Sequence, residues 1–252
     1  MSQNKFVAFG DSWQVKLIGD FATGGGIGSA LFGEIMGVDY VNVSKAGDST
    51  EQLCGLDMIN KFKAVLSPAT KIIQITGGGD DFSGSYFRMV INPNDGSNDI
   101  TKAVNIDSLN KNLAVTMLDY AEIVAVRDSL APNALIVTSS YDFPPATMMG
   151  EGVEVAGLTL IGPWLQPGLI DRGWKTVIEQ AAIVKIVLEV YNKAMSDFAL
   201  LQRNYLHVNT QGTVSAEDFA NELHLTHAGC VKIAQKINLA MLPWMDKLAK
   251  EI

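Results

Sequence analysis

Ser12 stands just past the end of a short apolar run, Phe6-Val7-Ala8-Phe9, in the sequence Gly10-Asp11-Ser12-Trp13. That pattern reads as a buried strand followed at once by a tight turn that presents one hydroxyl. A serine at the carboxyl end of a first strand lies where open α/β sheets place their ligands. A serine hydroxyl becomes a nucleophile only beside a base that takes its proton. Three further stretches carry residues suited to such chemistry: Ala46-Gly47-Asp48-Ser49, Gly78-Gly79-Asp80-Asp81 and Asn221-Glu222-Leu223-His224. The last of these ends in an imidazole, His224. Backbone N–H groups at Ser12 and Gly47 suit a developing oxyanion, because glycine lets the backbone approach with no side chain in the way.

The elements that must position these residues follow from the hydropathy pattern. Strands are expected at 5–10, 40–43, 71–76, 134–138 and 205–208. They alternate with helical spacing over 27–36, 48–63, about 106–124, 174–198 and 226–249. Asp48-Ser49-Thr50-Glu51 is a helix start, with capping residues and acid in the first turn. The strands are apolar runs rather than alternating ones, the mark of a parallel sheet covered on both faces. The expected fold class is α/β, a single domain over 1–252. Segments 82–104 and 141–172 are excursions over the sheet; the second holds four of the eight prolines and is expected to lack regular elements. In a parallel sheet the first three chemical stretches share one edge. The fourth reaches it if the loop after the fifth strand folds over.

Composition narrows the function. Apolar residues make up 48% and charged residues 18% of the 252, so much of the chain is expected to be buried. The net charge of -8 and the absence of a Lys/Arg run give no footprint for nucleic acid. No apolar run approaches a membrane span, and the first five residues contain no apolar leader, so a cytoplasmic chain is expected. Cys54 and Cys230 lie far apart with no CxxC, which favours two buried thiols, leaves one disulfide open and implies no metal framework. His224, His227 and Glu222 lack a further ligand at metal spacing. Thr23-Gly24-Gly25-Gly26-Ile27-Gly28 resembles a dinucleotide loop but follows no clear strand, and a helix entry near the active edge is the preferred reading. His207, within a strand pattern, reads as structural.

Taken in order, the four stretches resemble the blocks of the SGNH (GDSL-type) hydrolases, and the resemblance covers nearly the whole chain. It implies a flavodoxin-like three-layer α/β/α sandwich around a five-stranded parallel sheet. It also implies a serine esterase of small acyl esters that needs no cofactor. By the same resemblance Ser12 is the nucleophile, His224 the base and Asn221 its orienter. The oxyanion donors are Ser12, Gly47 and position 80. Asp11, Trp13, Gly79, Phe82, Phe143 and Trp164 would contact substrate. Two positions depart from the family pattern. Asp80 replaces the oxyanion-hole Asn, and an ionised carboxylate donates nothing. Two like charges ~4 Å apart repel by roughly 4 kcal/mol at an effective dielectric of ~20, so only protonated Asp80 serves. Asn221 replaces the triad acid; in serine proteases that exchange costs about 10⁴ in turnover through the wrong imidazole tautomer. Glu222 or Asp218 are possible substitutes for the acid. Some family members also read Asn-Glu-Leu-His. The alternative expectation is a weakly active or inactive SGNH-fold protein that binds acyl groups or carbohydrate.

Overall fold

The computed structural model describes residues 5–15, 26–155 and 158–250. Five strands form one parallel sheet in the order β2-β1-β3-β4-β7. They are β1 (Lys5–Gly10), β2 (Tyr40–Asn42), β3 (Thr70–Thr76), β4 (Leu135–Ser139) and β7 (Tyr205–Val208). The centre of this sheet is apolar on both faces: Val7, Ala8, Phe9, Ile72, Ile73, Ile75, Ile136 and Val137 are all buried. Side chains alternate across the sheet, so successive residues of β1 anchor different helix layers. Phe6 meets Phe32 on the face covered by α1 (Ile27–Ser29), its π-helical continuation Ala30–Ile35, and α7 (His227–Lys250). Phe9 stacks on Phe62 at 4.4 Å. That contact faces the opposite layer, α2 (Thr50–Cys54), α3 (Leu56–Val65), α4 (Ile106–Leu130) and α6 (Val177–Leu200). The architecture is thus the expected three-layer α/β/α sandwich.

Register decides where the strand ends fall. Gly10 pairs with Thr76, so β1 and β3 finish level and their following loops leave from one edge. Gly10 is required there. Its φ is +154°, and a Cβ would lie 2.1 Å from the Thr76 carbonyl oxygen.

Several elements differ from expectation. The helix expected over 48–63 is two helices, because Gly55 adopts an extended ψ of 149° between α2 and α3. Its start is as expected: Ser49 and Gln52 form a reciprocal capping box. Segment 141–172 is more regular than expected. It contains the antiparallel pair β5 (Val153–Val155) and β6 (Leu158–Ile161), then α5 (Gln166–Asp171) with Pro167 in its first turn, where proline is tolerated. Helix α6 begins at Val177 under a Thr176–Glu179 capping box. Trp174 precedes it and is buried, its indole N–H donating to the Asn92 carbonyl at 3.0 Å. The two excursions are fastened to each other by the Gly84 N–H to the Trp164 carbonyl (2.8 Å) and the Asn94 N–H to the Arg172 carbonyl (2.7 Å). Of the glycine-rich loop, Thr23–Gly25 lie outside the described residues. At Gly28 a Cβ would meet the Ala8 Cβ at 2.9 Å, so this glycine serves helix–strand packing.

At the edge opposite the active loops, Arg127 of α4 is fully buried. Its guanidinium donates to the carbonyls of Ala134 (2.7 Å), Asn204 (2.8 Å) and Arg203 (2.7 Å) and pairs with Asp128 (2.7 Å). It ties the α4 C-terminus to the entries of β4 and β7. Arg127→Met strands these carbonyls; a loss of about 3 kcal/mol, or roughly 6–12 °C in Tm, is expected by calorimetry.

Candidate active site

The turn that carries Ser12 is held from beneath by Asp11. Its carboxylate accepts from the Trp13 N–H (2.9 Å), from Thr76 Oγ1 (2.7 Å) and from the Tyr141 hydroxyl. Tyr141 Oη in turn accepts the Gly79 N–H at 3.0 Å. One buried carboxylate thus joins the ends of β1, β3 and β4. Burial pushes the Asp11 carboxyl up, and these hydrogen bonds pull it back. Asp11 was expected as a substrate contact; the structure uses its carboxylate as an internal anchor.

His224 comes from the turn before α7. The turn is closed by the Ala220 N–H to the His224 carbonyl (2.8 Å) and the Thr226 N–H to the Asp218 carbonyl (2.7 Å). The Asn221 side chain organises it. Oδ1 accepts the N–H groups of Leu223 (3.0 Å) and His224 (2.9 Å) and lies 2.9 Å from the His224 Nδ1. Two main-chain donors identify that atom as the amide oxygen. The ring nitrogen facing an acceptor must carry its proton, so Nδ1 is protonated in the neutral ring. Nε2 is left bare, 3.0 Å from Ser12 Oγ. This is the tautomer a base needs, reached without a carboxylate. The Trp13 indole N–H donates to the Leu223 carbonyl at 3.1 Å, fastening the turn that carries Ser12 to the histidine turn. Burial depresses His224 to about 4, keeping the imidazole neutral over most of the acid range.

Neither acid considered as a substitute orienter takes that part. Asp218 caps Ser215 and pairs with Lys232 at 2.6 Å. Glu222 turns to the N–H groups of Gly150, Trp164, Leu165 and Gln166.

Asp80 opens the short 3₁₀ turn Asp80–Phe82 after β3. Burial raises its carboxyl to about 7, with Asp11, Asp81 and Asp48 adding like-charge repulsion. At neutral pH it is therefore largely split between acid and anion. Gly47 has φ +81°, with open space where a Cβ would be. Among the described residues the N–H groups of Ser12 and Gly47 have no protein acceptor, whereas that of Gly79 is spent on Tyr141.

Ser12, Asp11, Trp13, Gly79, Asp80 and Phe82 share one cavity, as expected. Tyr141, Leu165, Val184, Val187, Leu188 and Tyr191, not anticipated as site residues, complete much of its wall. Five expected site residues stand outside that wall. His224 reaches it only through Nε2 at Ser12 Oγ, with Asn221 behind the ring; Phe143 lies under the Lys185 ammonium at 5.1 Å, Trp164 packs edge-on against His224 at 5.1 Å between ring centroids, and Gly47 occupies the neighbouring loop. The signal for Val184, Val187, Leu188 and Tyr191 was present as an i, i+3, i+4, i+7 stripe on α6, but such a stripe does not distinguish core from cavity.

Other chemically suggestive residues are accounted for. His207 is held by Thr138 Oγ1 and Asn192 Oδ1, each at 2.9 Å, and burial lowers it to about 4. His227 meets Glu34 at 3.2 Å. Cys54 and Cys230 form no disulfide. No group of metal-ligating side chains occurs among the described residues, and no described helix is long and apolar enough to cross a membrane.

No protein-family model and no curated protein matches the sequence. Solved structures do. The lipase Lip_vut3 from a goat rumen metagenome is similar at TM-score 0.59 and 13% identity, over 94% of this chain and 97% of that one. A carbohydrate esterase family 3 protein from Talaromyces cellulolyticus is similar at TM-score 0.54 and 12% identity, over 99% and 100%. An extracellular lipase from Streptomyces rimosus is similar at TM-score 0.53 and 15% identity, over 93% and 99%. The sheet order and these likenesses give the chain the fold of the SGNH, or GDSL-type, lipases and esterases.

Proposed function

We propose that the protein is a serine hydrolase of small acyl esters. The observation that carries this reading is the continuous relay from Asn221 Oδ1 through the His224 ring to Ser12 Oγ, with contacts of 2.9 and 3.0 Å. Ser12 Oγ attacks the ester carbonyl carbon while its proton passes to His224 Nε2. The carbonyl electron pair moves onto oxygen, where the N–H groups of Ser12 and Gly47 and the acid form of Asp80 receive it. Collapse breaks the bond to the alcohol oxygen, and His224 returns the proton to that leaving group. Water then attacks the acyl-Ser12 ester with His224 again as base, releasing the acid and restoring Ser12.

The active form needs neutral His224 and protonated Asp80. The first is lost as pH falls through about 4, the second as pH rises through about 7. The pH dependence of kcat/KM for a p-nitrophenyl ester is thus expected to be bell-shaped with limbs near those values. Asp80→Asn supplies a donor at every pH. It removes the alkaline limb and raises the rate about tenfold one unit above it, where roughly one carboxyl in eleven is protonated. An alkaline limb that survives Asp80→Asn contradicts the assignment. Absence of turnover in both forms would instead favour the acyl-binding reading.

The cavity supports the acyl side as its occupant. The space open to water centres is about 60 Å³, walled by Phe82, Phe87, Leu165, Val184, Val187 and Leu188. A single water needs about 10–15 Å³ measured in the same way, so the cavity has room for a short alkyl chain. Each buried methylene contributes about 0.8 kcal/mol, or about fourfold in kcat/KM. Rates are expected to climb from acetate over the next few methylenes and then to fall. Val187→Phe fills the cavity and moves the maximum to acetate; an unchanged chain-length profile places the acyl group elsewhere.

A further inference from the structure

Glu222 lies between the two residues that form the relay, yet its carboxylate has no part in it. The side chain is fully buried. Oε1 accepts the N–H groups of Trp164 and Leu165 (2.6 Å to Leu165). Oε2 accepts those of Gly150 (2.9 Å) and Gln166 (3.3 Å). The Glu222 N–H adds a bond to the Glu151 carbonyl at 3.2 Å. No cation pairs with this carboxylate among the described residues; four main-chain dipoles take the place of one. Burying a charge in that way is costly unless every lone pair is used, and here both oxygens are doubly engaged.

What the four donors have in common is position. They belong to the stretch around Gly150 and to the Trp164–Gln166 entry of α5, both remote in sequence from the histidine turn. Trp164 sets its indole edge-on to the His224 imidazole, centroids 5.1 Å apart with 72° between planes. Leu165 supplies part of the cavity wall beside Ser12. The carboxylate therefore fixes a ring that covers the base to the same turn that carries the base.

We infer that Glu222 is a positioning residue, clamping the segments at 150 and 164–166 to the 221–224 turn so that Trp164 seats and shields the His224 ring. The inference rests on the proposed role of His224 as base for its functional meaning, but the clamp is testable without turnover. The alternative is that Glu222 only stabilises the fold. In that case its loss lowers Tm and leaves the His224 environment as it was.

Glu222→Gln keeps size and removes half the acceptor capacity, setting an NH₂ group against N–H donors. The expected result is faster amide hydrogen exchange at Trp164–Gln166 and a His224 titration, followed by NMR of the ring nitrogens, at least one pH unit higher as water reaches the imidazole. The acid limb of kcat/KM is expected to rise by the same amount. The other carboxyls nearby, Asp11 and Asp80 on the cavity walls, are unchanged in sequence in the variant. Trp164→Ala, which leaves the clamp intact, is expected to reproduce the His224 shift and covers the case in which Glu222→Gln does not fold. An unmoved His224 titration in folded Glu222→Gln, or in Trp164→Ala, overturns the inference. A shifted His224 in a protein without ester turnover would retain the clamp and remove the proposed activity. Turnover with an unshifted His224 would do the reverse.

Discussion

An imidazole takes a proton from serine only through a nitrogen that carries none. At His224 that choice is made by one amide oxygen. Asn221 Oδ1 receives two main-chain N–H groups of its own turn and the ring Nδ1. The main-chain donors fix which end of the amide faces the ring, and the ring must answer with a donor. An isolated asparagine could rotate by half a turn and present its NH₂ group, giving the wrong tautomer. Here rotation breaks two further hydrogen bonds, each worth about 1 kcal/mol or more. The histidine turn, the Trp13–Leu223 link and the start of α7 all hold that geometry against β1. The cost usually attached to asparagine in place of aspartate is thus met by local backbone geometry rather than by charge.

The second constraint is electrostatic. Asp11, Asp48, Asp80 and Asp81 crowd the loops at the sheet edge. Each of the other three has an internal partner. Asp11 has Thr76, Tyr141 and the Trp13 N–H; Asp48 has Lys45 at 2.7 Å; Asp81 has the Thr50 N–H and hydroxyl. Asp80 has none of these bonds, and it faces the cavity beside Ser12. Burial raises Asp11 and Asp81 too, but hydrogen bonds pull those two back, whereas at Asp80 burial and like-charge repulsion act unopposed. A neutral carboxylic acid is a donor, as an asparagine amide is. His224 is pushed in the opposite sense by burial, so the two groups can be neutral together. Pairs of groups whose environments separate their titrations in this way are typical of sites built for proton transfer.

Much of this was legible in the sequence. Five apolar runs separated by helical spacing sufficed for a parallel sheet. The Gly-Asp-Ser turn and the Asn-Glu-Leu-His stretch placed a hydroxyl and a base at one edge. Local reading failed where the decisive contacts are long-range. Gly55 breaks a helix whose spacing continues through it, because the chain turns there to pack α3 against Phe9. Prolines at 144, 145, 163 and 167 suggested an irregular loop, yet strand pairing across Val153–Ile161 and a proline-compatible first turn of α5 produced order. Tyr141 and Glu222 act through hydrogen bonds to Asp11 and to segments more than fifty residues away, and no spacing rule announces them. Asn221 looked like a defect in a motif because its orientation depends on backbone N–H groups that a sequence does not display.

The proposed hydrolysis requires that Ser12 be the group acylated. The most direct measurement is intact and peptide mass spectrometry after treatment with a fluorophosphonate, on the protein and on Ser12→Ala. A single adduct on the peptide containing Ser12, absent in the variant, is the predicted result. No adduct, or an adduct at another residue that persists in Ser12→Ala, would contradict it.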